Sequence, residues 1–319
     1  MSRALSWLLG AAVVAGMIAL PSQLYTGQVR VITTVLMFVA LAQAWNIIGG
    51  LAGYACFGQV AFFGIGGYTT AVLMEQVHWS FWLALPVSAL GCAGFAALIG
   101  LPLLRLRGHY FAIATLGVAE GMREVVTNLG SVTGGGAGTT VPSTAWLGND
   151  GFYLLFLLLA AVAVAVAALI THSRFGYGLR AINQDEDAAA SAGVNTTRAK
   201  VLALATSAAI TGLVGSAYAF QQVTIYPQRL FDVDITVTMI VMVVIGSAGT
   251  VLGPLVGAVG LQFLSEYLRQ NYPQEHILVL GAVIVAVVLL FPAGLVTVAR
   301  TAVVQRRLIL LDTIRAYRL

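Results

Sequence analysis

Charge is scarce in this sequence. Asp, Glu, Lys and Arg together make up 9% of its 319 residues, against about 25% in soluble domains, and that shortage excludes a water-soluble globular chain. Cysteine is nearly absent: Cys56 and Cys92 both lie in apolar stretches. With no Cys-x-x-Cys pair there is no disulfide or zinc framework, and the two read as buried thiols. The four histidines, His78, His109, His172 and His276, are scattered singly near predicted interfaces, where hydrogen-bonded anchors are commoner than metal ligands. No Gly-x-x-x-x-Gly-Lys-Ser/Thr phosphate loop occurs and no nucleophile–base pattern. The chain therefore has no means of hydrolysing ATP alone, and nothing marks it as an enzyme. The net charge of +4 arises from basic residues beside apolar segments. Those residues orient a membrane protein and are not a nucleic-acid signal.

Apolar residues are what the chain does have, 59% of the total. They fall into runs at about 4–21, 29–48, 53–76, 81–104, 108–128, 152–172, 200–223, 234–247, 250–268 and 276–296. At roughly 20 residues per crossing, this length accommodates about ten helices. The pattern predicts an all-α polytopic membrane protein, with one membrane domain over residues 1–319. The first run follows Arg3 and is long for a signal-peptide core, so it is kept as a span. The run at 53–76 is rich in Gly and the one at 234–247 is short, and both are candidates for broken or re-entrant helices.

One long polar interruption, Ser173 to Lys200, divides the apolar runs and carries four basic and three acidic residues. Its centre, Asp187-Ala188-Ala189 with Gly193 after it, predicts a short helix and a turn. The triplet Asp185-Glu186-Asp187 is a poor metal site, since consecutive helical residues diverge by about 100°. A solvated face or a protein contact is the expected use. Placing this loop in the cytoplasm fixes the others by alternation. Arg30, Arg123, Arg229 and Arg269 then fall outside, and the other twelve of the 16 basic residues fall inside, as the positive-inside rule requires. Both termini come out cytoplasmic. The tail at 300–319 alternates basic and apolar residues in the manner of an amphipathic helix on an anionic leaflet.

Glycine is abundant, 35 residues, and clusters at Gly49, Gly50, Gly53, Gly58, Gly64, Gly66 and Gly67, then at Gly246, Gly249, Gly253, Gly257 and Gly260. Close helix packing is the plain reading, and lining of a translocation path with Gln59 among these glycines is the functional one. Glu120, Arg123 and Glu124 share one helical face. Glu120 is expected within the hydrocarbon as a functional carboxylate, or else as half of a local pair with Arg123 that neutralises itself near the outer surface.

Four blocks together resemble the M-type permease subunits of the leucine-isoleucine-valine (Liv) importers. They are GYACFGQVAFFGIGGYTTAVL from Gly53, RLRGHYFAIATLGVAE from Arg105 with TGGGAG from Thr133, the Ser173–Lys200 loop, and MIVMVVIGSAGTVLGPLVGA from Met239. In order and spacing they cover most of residues 40–295. The resemblance implies an inner-membrane permease subunit of an ABC importer for branched-chain or related hydrophobic amino acids. It implies as partners a second, similar permease, cytoplasmic ATP-binding subunits and a periplasmic substrate-binding protein that offers substrate near Thr133–Gly138. No cofactor is implied, because ATP is bound by the partners.

The family's docking loop matches at Asp187, Ala188, Ala189 and Gly193, with Arg180, Asp185 and Glu186 in the same coupling segment. Gly53, Gly58, Gln59, Gly64, Gly67, Glu120, Gly246, Gly249 and Gly253 are the pathway or helix-packing candidates. Where the family often carries Gly-Gln-Leu/Val-Ser-Leu-Gly-His, this chain reads Gly53-Tyr54-Ala55-Cys56-Phe57-Gly58-Gln59. Amides, urea, aromatic acids and sugars therefore stand as alternative cargoes, and a self-sufficient ion-coupled carrier as the rival of another class.

Overall fold

The computed structural model describes residues 16–18, 21, 24–142, 147–291 and 294–298. Nearly all of the first predicted span and the whole basic tail at 300–319 lie outside the described residues. Helices occupy the other nine predicted runs. They are α1 (Thr26–Trp45), α2 (Gln59–Glu75), α3 (Phe81–Leu103), α4 (His109–Asn128), α5 (Gly148–Thr171), α8 (Thr196–Gln222), α9 (Val233–Gly246), α10 (Leu252–Asn271) and α11 (His276–Leu290). The polar interruption folds as two short helices, α6 (Arg174–Gln184) and α7 (Glu186–Ser191). A two-residue strand β1 (Thr139–Thr140) pairs antiparallel with β2 (Thr224–Ile225).

Among the described residues, four helical stretches are long and apolar enough to cross a membrane: α1 with its π-helical extension to Leu51, α3, α5 and α8. The others are shorter or carry charge, as α4 does at Glu120, Arg123 and Glu124.

Long α8 and α1 form the centre. α8 packs on α3, α2 and α1, while α1 packs on α5 and α10. Sequence explains how α3 approaches α8. Its buried positions are Ala84, Ser88, Cys92, Ala96 and Gly100, a small residue at every fourth place. The stripe lets backbones approach, since between lipid-embedded helices dispersion rather than water exclusion supplies the attraction. Leu83, Leu90 and Leu98 point away and are exposed, as a lipid-facing surface would be. Cys92 is buried within the stripe and donates its thiol to the Phe62 carbonyl at 3.3 Å. Cys56 is likewise a buried free thiol.

The segment between α1 and α2 breaks the helical pattern. The π-helical turn Asn46–Leu51 gives way to irregular backbone at residues 52–58. Free backbone groups at this depth must be satisfied by protein, and side chains supply the partners. Trp45 Nε1 donates to the Cys56 carbonyl at 2.8 Å. The Phe57 N–H donates to Thr115 Oγ1 at 3.1 Å. The Val60 N–H donates to Thr236 Oγ1 at 3.0 Å. The turn between α9 and α10 is held to α1 in the same way. Asn46 Nδ2 donates to the Thr250 carbonyl at 2.8 Å and Asn46 Oδ1 accepts from the Gly249 N–H at 2.9 Å. Gln43 Nε2 donates to the Val251 carbonyl at 2.6 Å.

These contacts give the bundle two distinct ends. At one, the 52–58 segment and the α3–α4 turn meet α6 and α7. At the other, Gln76 bonds Val132, Glu75 bonds Thr139, and β1 pairs with β2. Among the described residues, Arg105, Arg107, Arg174, Arg180, Arg198 and Lys200 belong to the α6–α7 end, and Arg30, Arg123, Arg229 and Arg269 to the opposite one.

Candidate functional site

The α6–α7 segment is built by local rules. Ser173 caps α6, its Oγ accepting from the Gly176 N–H at 3.1 Å. α6 turns Gly176, Leu179 and Ile182 inward and leaves Tyr177 exposed, with the Arg180 guanidinium 5.8 Å from the Tyr177 ring centre. α7 has only six residues and would not persist in water by itself. It is secured at both ends. Asp185 Oδ1 accepts from the N–H groups of Asp187 and Ala188, both at 2.9 Å, which satisfies donors that a first turn leaves open. Glu186 and Asp187 in that turn suit the positive end of the helix dipole. At the far end the Val194 N–H reaches the Ala189 carbonyl and the Gly193 N–H reaches the Ala190 carbonyl, both at 3.0 Å. This is a Schellman closure with Gly193 at φ +87°.

The three adjacent carboxylates have three separate duties, in keeping with their angular divergence. Asp185 caps α7. Asp187 receives a two-pronged bond from Arg107, at 2.8 and 3.1 Å. Glu186 turns inward, with its side chain 15% exposed. Glu186 Oε1 accepts from Lys200 Nζ at 2.6 Å, and Oε2 accepts from the Tyr54 hydroxyl at 2.5 Å. Arg107 Nε lies 3.5 Å from Oε2.

Lys200 is 4% exposed and is the chain's single lysine. Its ammonium donates to three acceptors: Glu186, the Tyr54 hydroxyl at 3.0 Å and the Leu104 carbonyl at 2.8 Å. Three convergent acceptors fit a tetrahedral ammonium and not a planar guanidinium, so the sole lysine stands where arginine would fail. Burial opposes the charge on Glu186. Hydrogen bonds from Lys200 and Tyr54, with the charges of Lys200 and Arg107, outweigh it and hold this carboxyl below its ordinary range. Asp187 is also lowered, by the bond and then the charge of Arg107.

The network joins four parts of the chain. α7 is tied through Glu186 to α8 at Lys200, to the 52–58 segment at Tyr54, and through Arg107 to the α3–α4 turn. α6 adds Asn183, whose Nδ2 donates to the Gly50 carbonyl at 3.3 Å. The Tyr54 bond links α7 directly to the irregular segment that leads into α2.

Of the sequence candidates, Arg180, Asp185, Glu186, Asp187, Ala188, Ala189 and Gly193 assemble in this segment, with Ala189 buried. Gly53 joins them: it sits at φ +76°, and a Cβ there would lie 2.1 Å from Asn183 Oδ1. Gly249 meets the end of α1 at Gly50, so the two glycine clusters touch at their turns. Gly58, Gly64, Gly67, Gly246 and Gly253 are packing sites, against Thr115, Phe231, Leu230, Gly253 and Ser247 respectively. Gln59 is fully buried between helices, its Nε2 donating to Ser207 Oγ at 2.8 Å and Thr211 Oγ1 at 2.6 Å. Glu120 is elsewhere, on peripheral α4. Its side chain is 37% exposed and it pairs with Arg123 at 2.7 Å. It faces away from the bundle, because α4 packs along another face, through Phe111, Thr115 and Ala119.

Sequence reasoning missed Tyr54, Arg107, Asn183 and Lys200 as members of the site. A chain with fifteen arginines and one lysine offered a usable signal at Lys200.

A polytopic helical bundle with a doubly capped polar helix keyed to its core suits a membrane transport subunit. The chain belongs to the family of permease components of branched-chain amino acid transport systems, whose pattern matches residues 27–288. It is 30% identical to the high-affinity branched-chain amino acid transport system permease protein LivM of Salmonella typhimurium, over 89% of this chain and 73% of that protein. It is 29% identical to LivM of Escherichia coli over the same shares. No solved structure matches it. As an ABC-transporter permease it is a multi-pass, non-catalytic transport subunit.

Proposed function

We propose that this chain forms half of the membrane path of an ATP-driven importer for branched-chain or related hydrophobic amino acids, moving them inward by alternating access. α7 serves as the coupling helix. The observation that carries this reading is its two-sided construction. The outer side offers Asp185, Ala188 and Ala190 to water, and the inner side is bonded to α8, the 52–58 segment and the α3–α4 turn. In this reading the α6–α7 end is cytoplasmic, consistent with the basic residues gathered there, and the chain resides in a bacterial inner membrane. The shorter helices cross as well, and both termini are cytoplasmic. A cytoplasmic ATPase docks at α6–α7, a second permease completes the path, and a binding protein delivers substrate at the β1–β2 end.

The deciding experiment is reconstitution in liposomes. The isolated chain is expected neither to hydrolyse ATP nor to accumulate amino acids, while the chain with its permease and ATPase partners takes up leucine when ATP is supplied. Accumulation by the chain alone under a proton or sodium gradient would establish the carrier reading instead. Selective uptake of amides, urea or sugars by the full complex would change the cargo and keep the mechanism.

Gly193→Val tests the coupling helix directly. A Cβ at this position meets no neighbouring atom, so the damage is confined to backbone strain. Residues with a Cβ pay about 1–2 kcal/mol in the left-handed region, and β-branched ones more. The expected outcome is normal membrane insertion with lost ATPase association in pull-down. Full uptake by a well-expressed variant would overturn the assignment.

A further inference from the structure

Polar side chains two turns inside a membrane helix need water, protein or a ligand, because hydrocarbon satisfies none of them. Such a set faces a groove of about 630 Å³ between α1 and α10 at the end opposite α7. Gln28, Arg30 and Thr34 line one wall, and Gln262, Ser265 and Glu266 the other. Thr34 and Gln262 lie eight and nine residues from their helix ends, about 12–14 Å along the axis at 1.5 Å per residue. α10 keeps Phe263 and Tyr267 exposed on a different face, so its polar face is the one turned to α1.

The charges in the groove are unequal. Glu266 is 18% exposed, pairs with Arg269 at 2.5 Å and accepts from Gln270 Nε2 at 2.7 Å. Arg30 donates through Nε to Asn149 at 3.3 Å, and among the described residues it has no carboxylate within ion-pair distance. The groove thus holds two guanidiniums, Arg30 and Arg269, of which Arg30 is the one without an ion pair among the described residues, against the one carboxylate of Glu266 and a lining of amides and hydroxyls. We propose that it is the outer vestibule for substrate and receives the head group of an α-amino acid, Arg30 facing the carboxylate and Glu266 the ammonium. Guanidinium–carboxylate recognition is strong and directional. An amide or urea lacks the carboxylate that Arg30 would select, so the groove favours amino acids among the cargoes left open by the sequence. A phosphatidylethanolamine head group shares the ammonium–oxyanion chemistry, and the test separates the two. The proposal rests on the importer reading above.

The experiment uses the full complex in phosphatidylcholine nanodiscs, carrying Thr34→Cys. Cys56 and Cys92 are buried, so a water-soluble maleimide reports the new thiol. Labelling is expected, and saturating leucine should slow it roughly tenfold while leucinamide does not. Arg30→Gln should remove that protection and raise KM for leucine uptake roughly tenfold, with kcat changed much less. A labelling rate indifferent to leucine, in a complex that takes leucine up, would refute the vestibule and leave the importer reading intact. Protection that needs added phosphatidylethanolamine and ignores leucine would also refute it, identifying a lipid site. Absence of amino acid uptake by the unmodified complex would instead refute the importer reading.

Discussion

Lys200→Met is expected to abolish ATP-driven uptake, the largest effect of any single substitution outside the glycine contacts. It removes three hydrogen bonds at once and leaves Glu186 largely buried without its cation. Breaking one side of a buried pair costs about 3–5 kcal/mol. Lys200→Arg should also fail, for the geometric reason given above. Loss of uptake from simple misfolding is separated from loss of coupling by the double variant Glu186→Gln/Lys200→Met, which removes the stranded charge. Membrane abundance should recover in the double variant while uptake does not, with ATP hydrolysis by the assembled complex no longer tied to transport. Normal uptake by the double variant would show that the network only stabilises the fold.

The pH dependence has a definite sign. Glu186 is held below its ordinary pKa, so its contribution is complete above the unfolded-state value. It is lost as pH falls through the lowered folded value. Coupling should therefore be insensitive to pH near neutrality and fail only in acid. In Lys200→Met, where coupling is already lost, Glu186 should take up its proton at a higher pH, because burial is then opposed only by Tyr54 and Arg107.

Gly66→Leu is expected to prevent accumulation of the protein, and Gly66→Ala to destabilise it by about 1–3 kcal/mol, the usual cost of overpacking. A Cβ at Gly66 would lie 2.2 Å from the Gly212 carbonyl oxygen, and one at Gly215 would lie 2.0 Å from that of Phe63. In both cases α2 and α8 are in backbone contact, and a backbone carbonyl cannot step aside as a side chain can. Gly91→Ala and Gly94→Ala are the controls, since a Cβ at either meets nothing within 4 Å. They should be neutral or stabilising by about 0.5–1 kcal/mol through helix propensity. Heating the detergent-solubilised variants and following the monodisperse fraction measures all four. Gly66→Ala as heat-resistant as Gly91→Ala would mean that α2 and α8 are not in backbone contact.

Gly66, Gly91, Gly94, Gly212 and Gly215 look alike in the sequence, since all stand in apolar helical runs. What the sequence by itself determined depends on composition and near neighbours. Sparse charge and long apolar runs require a membrane bundle, and helices fill the nine runs from 29–48 onward. α7 was legible because its signals lie within seven residues: Asp187, Ala188 and Ala189 as the short helix and Gly193 as the left-handed stop. Hydropathy, capping and φ preference all act over one or two turns, so they survive without a fold.

The tertiary structure alone decided what depends on distant segments meeting. Tyr54 and Lys200 are 146 residues apart and 3.0 Å from each other. Asn46 reaches a turn more than 200 residues away. Glu120 faces away from the bundle because α4 turns another face to it, and no local rule chooses that rotation. The α1–α10 groove exists only because two polar stripes from opposite ends of the chain face each other. In such cases the sequence supplies the groups, and long-range packing decides which group meets which.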